Sequence, residues 1–390
     1  MAEMLQEKPA APLFAALDRQ SAAIIERFDN IIQGVLPLNS RQQALLPKEI
    51  AAMSRQLTSE RGTRRLGYMN ERAKNTAYVH YFMWWNLVRM TRLFAAMPEN
   101  AFALQDGDVC IDLGSGPLTL IIALWLARPE LRNKKLSWYC VDLSAGIMAD
   151  GEELYLSVAA RTANGAAPWN IIRVKGELGT EIRHKAALVT CANMFNEALQ
   201  SQNETLEFLA KKYVHALLAH STQAEGAAIL VIEPGIPQNA RLLSQMRSVL
   251  LQGGFAPISP CPHSAKCPMN GAHGRKWCNF AFDAHGAPQA LQALSKRARL
   301  NKTRAVLSFI LMRKGNAGRL HEDSIALRIA SDAIYLPDRR IGFYACAECG
   351  LVLAIKGRIP LHSGDMLVIK KPNISAAERD KKSGAIMIEL

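Results

Sequence analysis

The chain has 390 residues, 49% hydrophobic and 21% charged, with 47 Lys/Arg against 34 Asp/Glu and a formal net charge of +13. That length and balance describe a globular protein with room for more than one domain and exclude a disordered or fibrous chain. No apolar run approaches the roughly 20 residues a membrane helix needs. The first residues have neither the apolar core of a secretory signal nor an Arg/Ser-rich, acid-poor transit character, so a cytoplasmic location is expected. Thiols stay reduced there, and a cluster among the eight cysteines then points to metal binding rather than disulfides.

Residues 12–100 read as helical. Leu13, Phe14, Leu17, Ile24, Ile25, Phe28, Ile31 and Ile32 recur at three- and four-residue steps, the spacing of one helix face. Pro37 and Pro47 are expected to break the pattern. A second helical stretch starts at Ser54 and passes Tyr68, Tyr78, Tyr81, Phe82, Trp84, Trp85, Leu87, Met90 and Leu93. The aromatics of 78–85 have core spacing, although they could also cover a ligand or stack on bases.

An α/β pattern follows. Strands are expected at 108–113, 136–143, 169–175, 187–192 and 227–233, with helices at 119–127, 145–160, 197–220 and 238–252. Strands alternating with helices imply a parallel, doubly wound sheet. Residues 304–313 read as a later strand of that sheet, so the cysteine-rich segment 255–285 interrupts the domain. After Gly315, short strands at 341–345, 351–355 and 366–369, separated by glycine turns, suggest a small β module. The tail beyond Pro372 is expected to be loosely ordered. From 286 to the end there are eighteen Lys/Arg against nine Asp/Glu. More than half of the positive excess thus falls in the last quarter, a distribution suited to phosphate backbones.

The first strand runs into Asp112-Leu113-Gly114-Ser115-Gly116-Pro117. A glycine turn between strand and helix lets a ligand approach the backbone, and the helix start offers free N–H groups. A dinucleotide site would want a third glycine near Thr119, and its absence disfavours NAD. The turn with an acid two residues before it is more like an S-adenosylmethionine (SAM) site. Asp142, ending the second strand in Val141-Asp142-Leu143-Ser144, would accept the ribose hydroxyls. The plainer alternative is that the glycines make a tight turn and Asp142 caps the next helix. No catalytic group declares itself, and no Asn-Pro-Pro-Tyr-type motif is present. Cys191, at the end of the fourth strand, is a candidate nucleophile, but buried cysteines at strand ends are commonly inert.

Cys261 and Cys267 are separated by five residues, Cys267 and Cys278 by ten, and Cys346 follows after sixty-seven. Structural zinc favours pairs two to four apart. The wider loops and the Cys-Pro steps suit an iron–sulfur cluster, with Lys266, Arg275 and Lys276 offsetting its charge. Zinc is the alternative, with Cys346 and Cys349 as a knuckle pair and His263 and His273 as spare ligands.

The chain resembles the mitochondrial small-ribosomal-subunit methyltransferase-like assembly factors and their bacterial relatives, over residues 57–371. The resemblance rests on the glycine loop, on Val141-Asp142-Leu-Ser144, on Asn193-Met-Phe-Asn196-Glu197-Ala-Leu199, on Ile232-Glu233-Pro234-Gly235-Ile-Pro237, and most specifically on Cys261-Pro-His, Lys266-Cys-Pro268 and Trp277-Cys-Asn-Phe280. It implies a class I SAM-methyltransferase-like (Rossmann-like) doubly wound sheet and binding to the small ribosomal subunit or its rRNA. It implies a SAM site at Asp112, Gly114, Ser115, Gly116, Asp142 and Asn193. It also implies a [4Fe–4S] site on Cys261, Cys267, Cys278 and Cys346, with Cys349 the competing fourth ligand. The domains expected are a helical region 1–105, a methyltransferase-like domain 106–315 with the insertion 255–285, a basic β module 316–373 and a flexible tail 374–390, in a monomer. Two functional readings follow: an RNA methyltransferase, or a non-catalytic assembly factor that still binds SAM.

Overall fold

The computed structural model describes residues 11–58, 71–195, 204–272, 276–316, 318, 321–337, 339–357, 360–374 and 377–390. Among these residues, five α-helices precede the first strand: α1 Arg19–Glu26, α2 Phe28–Val35, α3 Ser40–Leu57, α4 Arg72–Ala77 and α5 Trp84–Ala96, with a π-helical turn Tyr78–Met83 joining the last two. Asp18 caps α1 by accepting from the N–H groups of Gln20 and Ser21, and Asn39 and Gln42 form a reciprocal capping box on α3. Pro37 separates α2 from α3 as expected. Pro47 does not break anything: it lies inside α3, where the helix gives up one main-chain hydrogen bond. Tyr68 lies outside the described residues.

These helices exist largely to cover another. Helix α6, Thr119–Ala127, reads Thr-Leu-Ile-Ile-Ala-Leu-Trp-Leu-Ala, and every residue of it is buried. A helix with no polar face must be enclosed on all sides. Helix α5 packs along it, Ser21 of α1 donates to the Leu126 carbonyl at 2.8 Å, and Arg128 ties its end to the carbonyls of Met97, Pro98 and Glu99 at the end of α5.

The central sheet is built from β1 Val109–Leu113, β2 Ser137–Asp142, β3 Asn170–Lys175, β4 Leu188–Ala192, β5 Ala228–Pro234, β6 Phe255–Ser259, β7 Phe280–Asp283 and β8 Arg304–Lys314. The interleaved helices are α7 Ala145–Thr162, α8 Leu206–His220, α9 Pro237–Gln252 and α10 Gln289–Arg297. The strand order is β3-β2-β1-β4-β5-β8-β6; β1 to β5 are mutually parallel and β8 runs antiparallel to both its neighbours. This is the class I methyltransferase-like, doubly wound α/β sheet that the resemblance implies. One side is covered by the N-terminal helices, α6 and α7, the other by α8 and α9. The expected helix 197–220 begins, within the described residues, at Leu206.

The cysteine-rich insertion has a simple geometry that its sequence hides. Strands β6 and β7 both pair with β8, at Leu311–Lys314 and at Arg304–Leu307 respectively, on the side away from β5. They form one strand line, and residues 260–279 are an excursion out of it. The boundary expected at 255–285 therefore includes two sheet strands.

A second sheet has the order β13-β9-β11-β12-β14, with β10 on β11: β9 Ser324–Ile329, β10 Ile334–Tyr335, β11 Ile341–Ala347, β12 Gly350–Ile355, β13 Met366–Lys370 and β14 Ile386–Glu389. The tail, expected to be loose, supplies β14, which pairs parallel with β12. The module is also not where the positive charge resides. Residues 316–373 carry eight Lys/Arg against six Asp/Glu and 374–390 carry three of each, whereas 286–315 carry seven Lys/Arg and no acid. No described helix is long and apolar enough to cross a membrane.

Gly151 of α7 explains how closely this helix sits under the glycine loop. A Cβ there would fall 2.4 Å from the Pro117 carbonyl carbon, a backbone atom that cannot swing away. Gly151→Ala is expected to lower stability by about 1–3 kcal/mol through overpacking, read as a lower urea midpoint. An unchanged midpoint would mean that the loop yields freely.

Candidate functional site

The carboxyl ends of the parallel strands carry the candidate cofactor site, as in open α/β sheets generally. After β1 the chain turns through three left-handed residues, Gly114 (φ 70°), Gly116 (φ 50°) and Leu118 (φ 55°). Glycine adopts this conformation freely, but leucine pays on the order of 1–2 kcal/mol for it; burial of the Leu118 side chain against the core holds it there. The N–H groups of Gly114 and Ser115 both donate to the Val141 carbonyl, at 2.9 and 3.1 Å. A Cβ on Gly116 would meet nothing within 4 Å, whereas one on Gly114 would be 3.1 Å from the Met194 side chain. The loop is thus open above Gly116 and closed by Met194 above Gly114.

Asp142 stands at the end of β2, beside this loop. Its Oδ2 accepts from the Gly116 N–H and its Oδ1 from the Ser144 N–H, both at 2.9 Å. The helix cap is Ser144, whose hydroxyl accepts from Ile147, so Asp142 does not cap α7. Each Asp142 oxygen still has a lone-pair site unused by these bonds. Burial raises its pKa against the opposing main-chain hydrogen bonds. Asp112 is more deeply set, 2% exposed, and accepts from Thr190 Oγ1 at 2.6 Å. Burial pushes its pKa up to about 7, outweighing the hydrogen bonds from Thr190 and Ser115. Asn193, just beyond β4, is left-handed (φ 60°) and donates its N–H to the Ile232 carbonyl. Cys191 is fully buried, and that burial, then the charges of Glu233 and Asp112, hold its thiol well above the usual range. This opposes a nucleophilic role.

Sequence reasoning quoted Glu233 but gave it no role. It is wholly buried at the end of β5 and accepts from the Phe195 N–H at 2.9 Å, fixing the turn that carries Asn193 and Met194. Its signal was an acid closing a strand of apolar residues. Asn196 and Glu197 lie outside the described residues.

The second cluster lies where the insertion meets the β module. Cys261, Cys267, Cys278 and Cys346 are close enough that each thiol's charge would act on the others. Burial pushes Cys278 and Cys346 well above the usual thiol range and also raises Cys261. Cys349 is elsewhere. Ala347 pairs with Gly350, so Cys349 occupies a two-residue hairpin tip and packs on the module's own core, among the charges of Glu348, Arg379 and Lys371. Two buried guanidinium groups border the four thiols. Arg328 donates to the carbonyls of Pro260 and Gly364 at 2.8 and 2.7 Å. Arg247, 1% exposed, donates through Nη2 to the His263 carbonyl, while its Nε and Nη1 have no hydrogen-bond acceptor. Both arginines were missed; Arg247 was legible as one charge among Leu243, Met246 and Leu250 on the apolar face of α9. His263 places Nε2 3.1 Å from the Cys346 sulfur, and burial, then Arg247, lowers its pKa to about 4. Among the described residues no three His, Cys, Asp or Glu side chains converge as a single metal ion would require. His273 and Arg275 lie outside the described residues.

The insertion reaches the carboxyl end of β5 and the start of β8. Trp277 Nε1 donates to the Gly235 carbonyl just past β5, and Ser308 Oγ of β8 donates to the Cys278 carbonyl at 2.7 Å. Lys276 lies 4.4 Å from the centre of the Tyr344 ring, across the boundary to the β module.

Among solved structures, the chain is similar to a SAM-dependent methyltransferase from Geobacter sulfurreducens in complex with S-adenosyl-L-homocysteine (12% identity, 57% of this chain and 90% of that one, TM-score 0.31). It is also similar to a putative class I SAM-dependent methyltransferase from Listeria monocytogenes (10% identity, 77% and 89%, TM-score 0.35). A third is a putative RNA methyltransferase from Pyrococcus horikoshii (14%, 59% and 84%, TM-score 0.30). No curated protein matches the chain. A family model described as mitochondrial small ribosomal subunit Rsm22 matches residues 85–333, which span the glycine loop, the insertion and the start of the second sheet. The chain belongs to the Rsm22 family.

Proposed function

We propose that this protein binds SAM, carries a [4Fe–4S] cluster on Cys261, Cys267, Cys278 and Cys346, and acts on the small ribosomal subunit or its rRNA during assembly or translation. The observation that carries the reading is the gathering of four thiols between two buried guanidinium groups, Arg328 and the only partly satisfied Arg247, in a chain of this family. Arg247 is short of acceptors at Nε and Nη1. Thiolate sulfurs of a cluster are acceptors and anions at once, so the donor set fits. Metal binding is also what would deprotonate thiols that burial otherwise keeps neutral. Zinc on the same residues is the competing metal.

The cofactor loop fits SAM by the same kind of test. Asp142 has acceptor sites left for the two ribose hydroxyls, and the space above Gly116 is open to a ligand. SAM, when bound, supplies an activated methyl group on a sulfonium cation. Asp112 is the buried acid nearest the loop, and a cationic ligand favours its ionised form. An RNA methyltransferase and a non-catalytic factor that retains SAM share all of these features; labelled SAM supplied to immature subunits separates them by whether rRNA becomes labelled.

Three outcomes are expected. Asp142→Ala should weaken SAM binding about tenfold or more, since hydrogen bonds to a charged group are worth on the order of 1.5–3 kcal/mol each and water replaces them in part. Equal affinity by calorimetry would remove Asp142 from the site.

Asp112 should leave a signature in stability. Its folded pKa of about 7 lies above its ordinary 3.8, so between those values the folded state binds the extra proton. Stability from this group is therefore full below about pH 4 and declines as pH rises to about 7, by at most on the order of 4 kcal/mol. Asp112→Asn should lack the decline when urea midpoints at pH 5 and 8 are compared. A mutant that declines as steeply as the parent would refute the raised pKa.

Protein purified without oxygen should be brown, contain iron and acid-labile sulfide, and bleach with dithionite. Cys346→Ser should lose most of the colour and open the β module to proteolysis, whereas Cys349→Ser should do neither. Colourless protein with stoichiometric zinc would overturn the cluster.

A further inference from the structure

A buried cation with donors to spare stands beside the insertion. Arg247 lies on α9 among Leu243, Met246 and Leu250 and is 1% exposed. The arginine–carboxylate pairs among the described residues involve Arg128, Arg173, Arg304 and Arg340, not Arg247. Its Nη2 donates to the His263 carbonyl, while Nε and Nη1 are out of water and have no acceptor. An arginine whose only task was to tie down that carbonyl would not leave two of its nitrogens unsatisfied, because an orphaned buried donor costs stability. The unused donors call for acceptors from outside the polypeptide.

Direct contacts put those donors beside the thiols. His263 lies two residues after Cys261, and its Nε2 is 3.1 Å from the Cys346 sulfur. Arg247 grips the main chain of this same residue, and its charge reaches the sulfurs of Cys261 and Cys346. When Cys346 is bound to iron its sulfur carries no proton, so the proton of the His263 contact is on Nε2 and His263 is the donor.

The other cations of the region are placed differently. Lys266 and Lys276 are exposed, where water and salt screen a charge. Arg328, opposite Cys346 in the β9–β11 register, uses its nitrogens on the carbonyls of Pro260 and Gly364 and on the Met366 sulfur. A thiolate-bound cluster is an anion that becomes more negative on reduction. A buried cation and hydrogen bonds to sulfur therefore stabilise its reduced form more than its oxidised form.

We propose that Arg247 is a positioning residue for the cluster: it supplies a buried counter-charge and N–H donors to the sulfurs, His263 supplies a further donor on Cys346, and together they raise the potential at which the cluster accepts one electron. The proposal rests on the reading that the four thiols hold a [4Fe–4S] cluster. It places the balancing charge in the core rather than on the surface lysines.

The test is a redox titration of the full chain purified without oxygen, with dithionite as the electron donor and visible absorption and electron paramagnetic resonance as readouts. Arg247→Met, which nearly keeps the side chain's length, should lower the reduced-to-oxidised ratio at a given potential at least about tenfold, a shift of ~60 mV to more negative potential for one electron. Arg247→Lys should recover part of that shift, and His263→Leu should shift the potential in the same direction by less. Lys266→Gln with Lys276→Gln should change the ratio less than about twofold, ~18 mV. If Arg247→Met keeps the parent's potential, or the double lysine variant shifts as far as Arg247→Met does, the inference is wrong while the cluster stands. If the parent is colourless and holds zinc, the cluster reading and this inference fall together. Should Arg247→Met lose its cluster, the parent decides. Grown on arginine labelled with heavy nitrogen and reduced, it should show in pulsed resonance a coupling to a guanidinium nitrogen that Arg247→Lys removes. No coupling, or one that survives in Arg247→Lys, would overturn the assignment.

Discussion

A charged guanidinium sits almost wholly out of water at Arg247, and the rest of the insertion is organised around that fact. Arginine cannot escape the cost of burial by losing its proton, as a lysine can. It needs acceptors, and the protein gives it one carbonyl, with the sulfurs of Cys261 and Cys346 within reach of its charge. Arg328 comes from the opposite side, out of the second sheet, and is satisfied by carbonyls of the insertion and of the loop before β13. The seam between the two sheets is therefore polar at its centre. Apolar packing alone does not hold it: the Arg328 bond to the Pro260 carbonyl, the His263–Cys346 contact and the Lys276–Tyr344 contact all cross it. Whatever neutralises the two arginines also decides how firmly the second sheet is attached.

The cofactor edge follows a different logic. There the acids are satisfied by main-chain N–H groups and one threonine hydroxyl. Asp142 is gripped by Gly116 and Ser144, Asp112 by Thr190, and Glu233 by Phe195. These carboxylates are oriented by the protein's own donors. The edge is also electrically tense: three acids crowd the ends of neighbouring strands, and burial raises both Asp112 and Asp142. A cationic ligand relieves that tension and an anionic one worsens it. The basic residues before β8 stand instead at the far end of the same edge, beyond β5, so the two charges are spatially sorted along one row of strand ends.

The sheet was readable from the sequence because its strands are short apolar runs closed by acids and glycines. Helix α6 was placed to the residue by the run from Thr119 to Ala127. The glycine loop was readable because its left-handed positions demand glycine at 114 and 116, although Leu118 at φ 55° gave no such sign. What stayed hidden depended on distant partners. Pro47 looks like a helix end, yet tertiary packing carries α3 through it. The π-helical turn at Tyr78–Met83 has no period that differs visibly from an α-helix over six residues. Strand β14 lies in a charged tail, and only its pairing with β12 reveals it. The charge excess was counted correctly but assigned too far downstream, because counting by quarters of the chain ignores where the elements end. Cys346 and Cys349 look equivalent in sequence; three residues of hairpin separate a sulfur in the main core from one at a turn.

The collinearity of β6 and β7 bears on how such a protein can be altered. Their partners on β8, Leu311 and Leu307, are four residues apart, a span of about 13 Å that a few extended residues could cover. The strand line closes with or without residues 260–279. To the central sheet, the length of the excursion is immaterial, since β8 fixes both of its roots and the loop-closure cost grows only slowly with length. The insertion is in this sense a cassette. A version of the fold without it would keep its sheet and its glycine loop, and would lose the contacts that residues 260–279 make with the second sheet, such as those of Pro260 with Arg328 and His263 with Cys346.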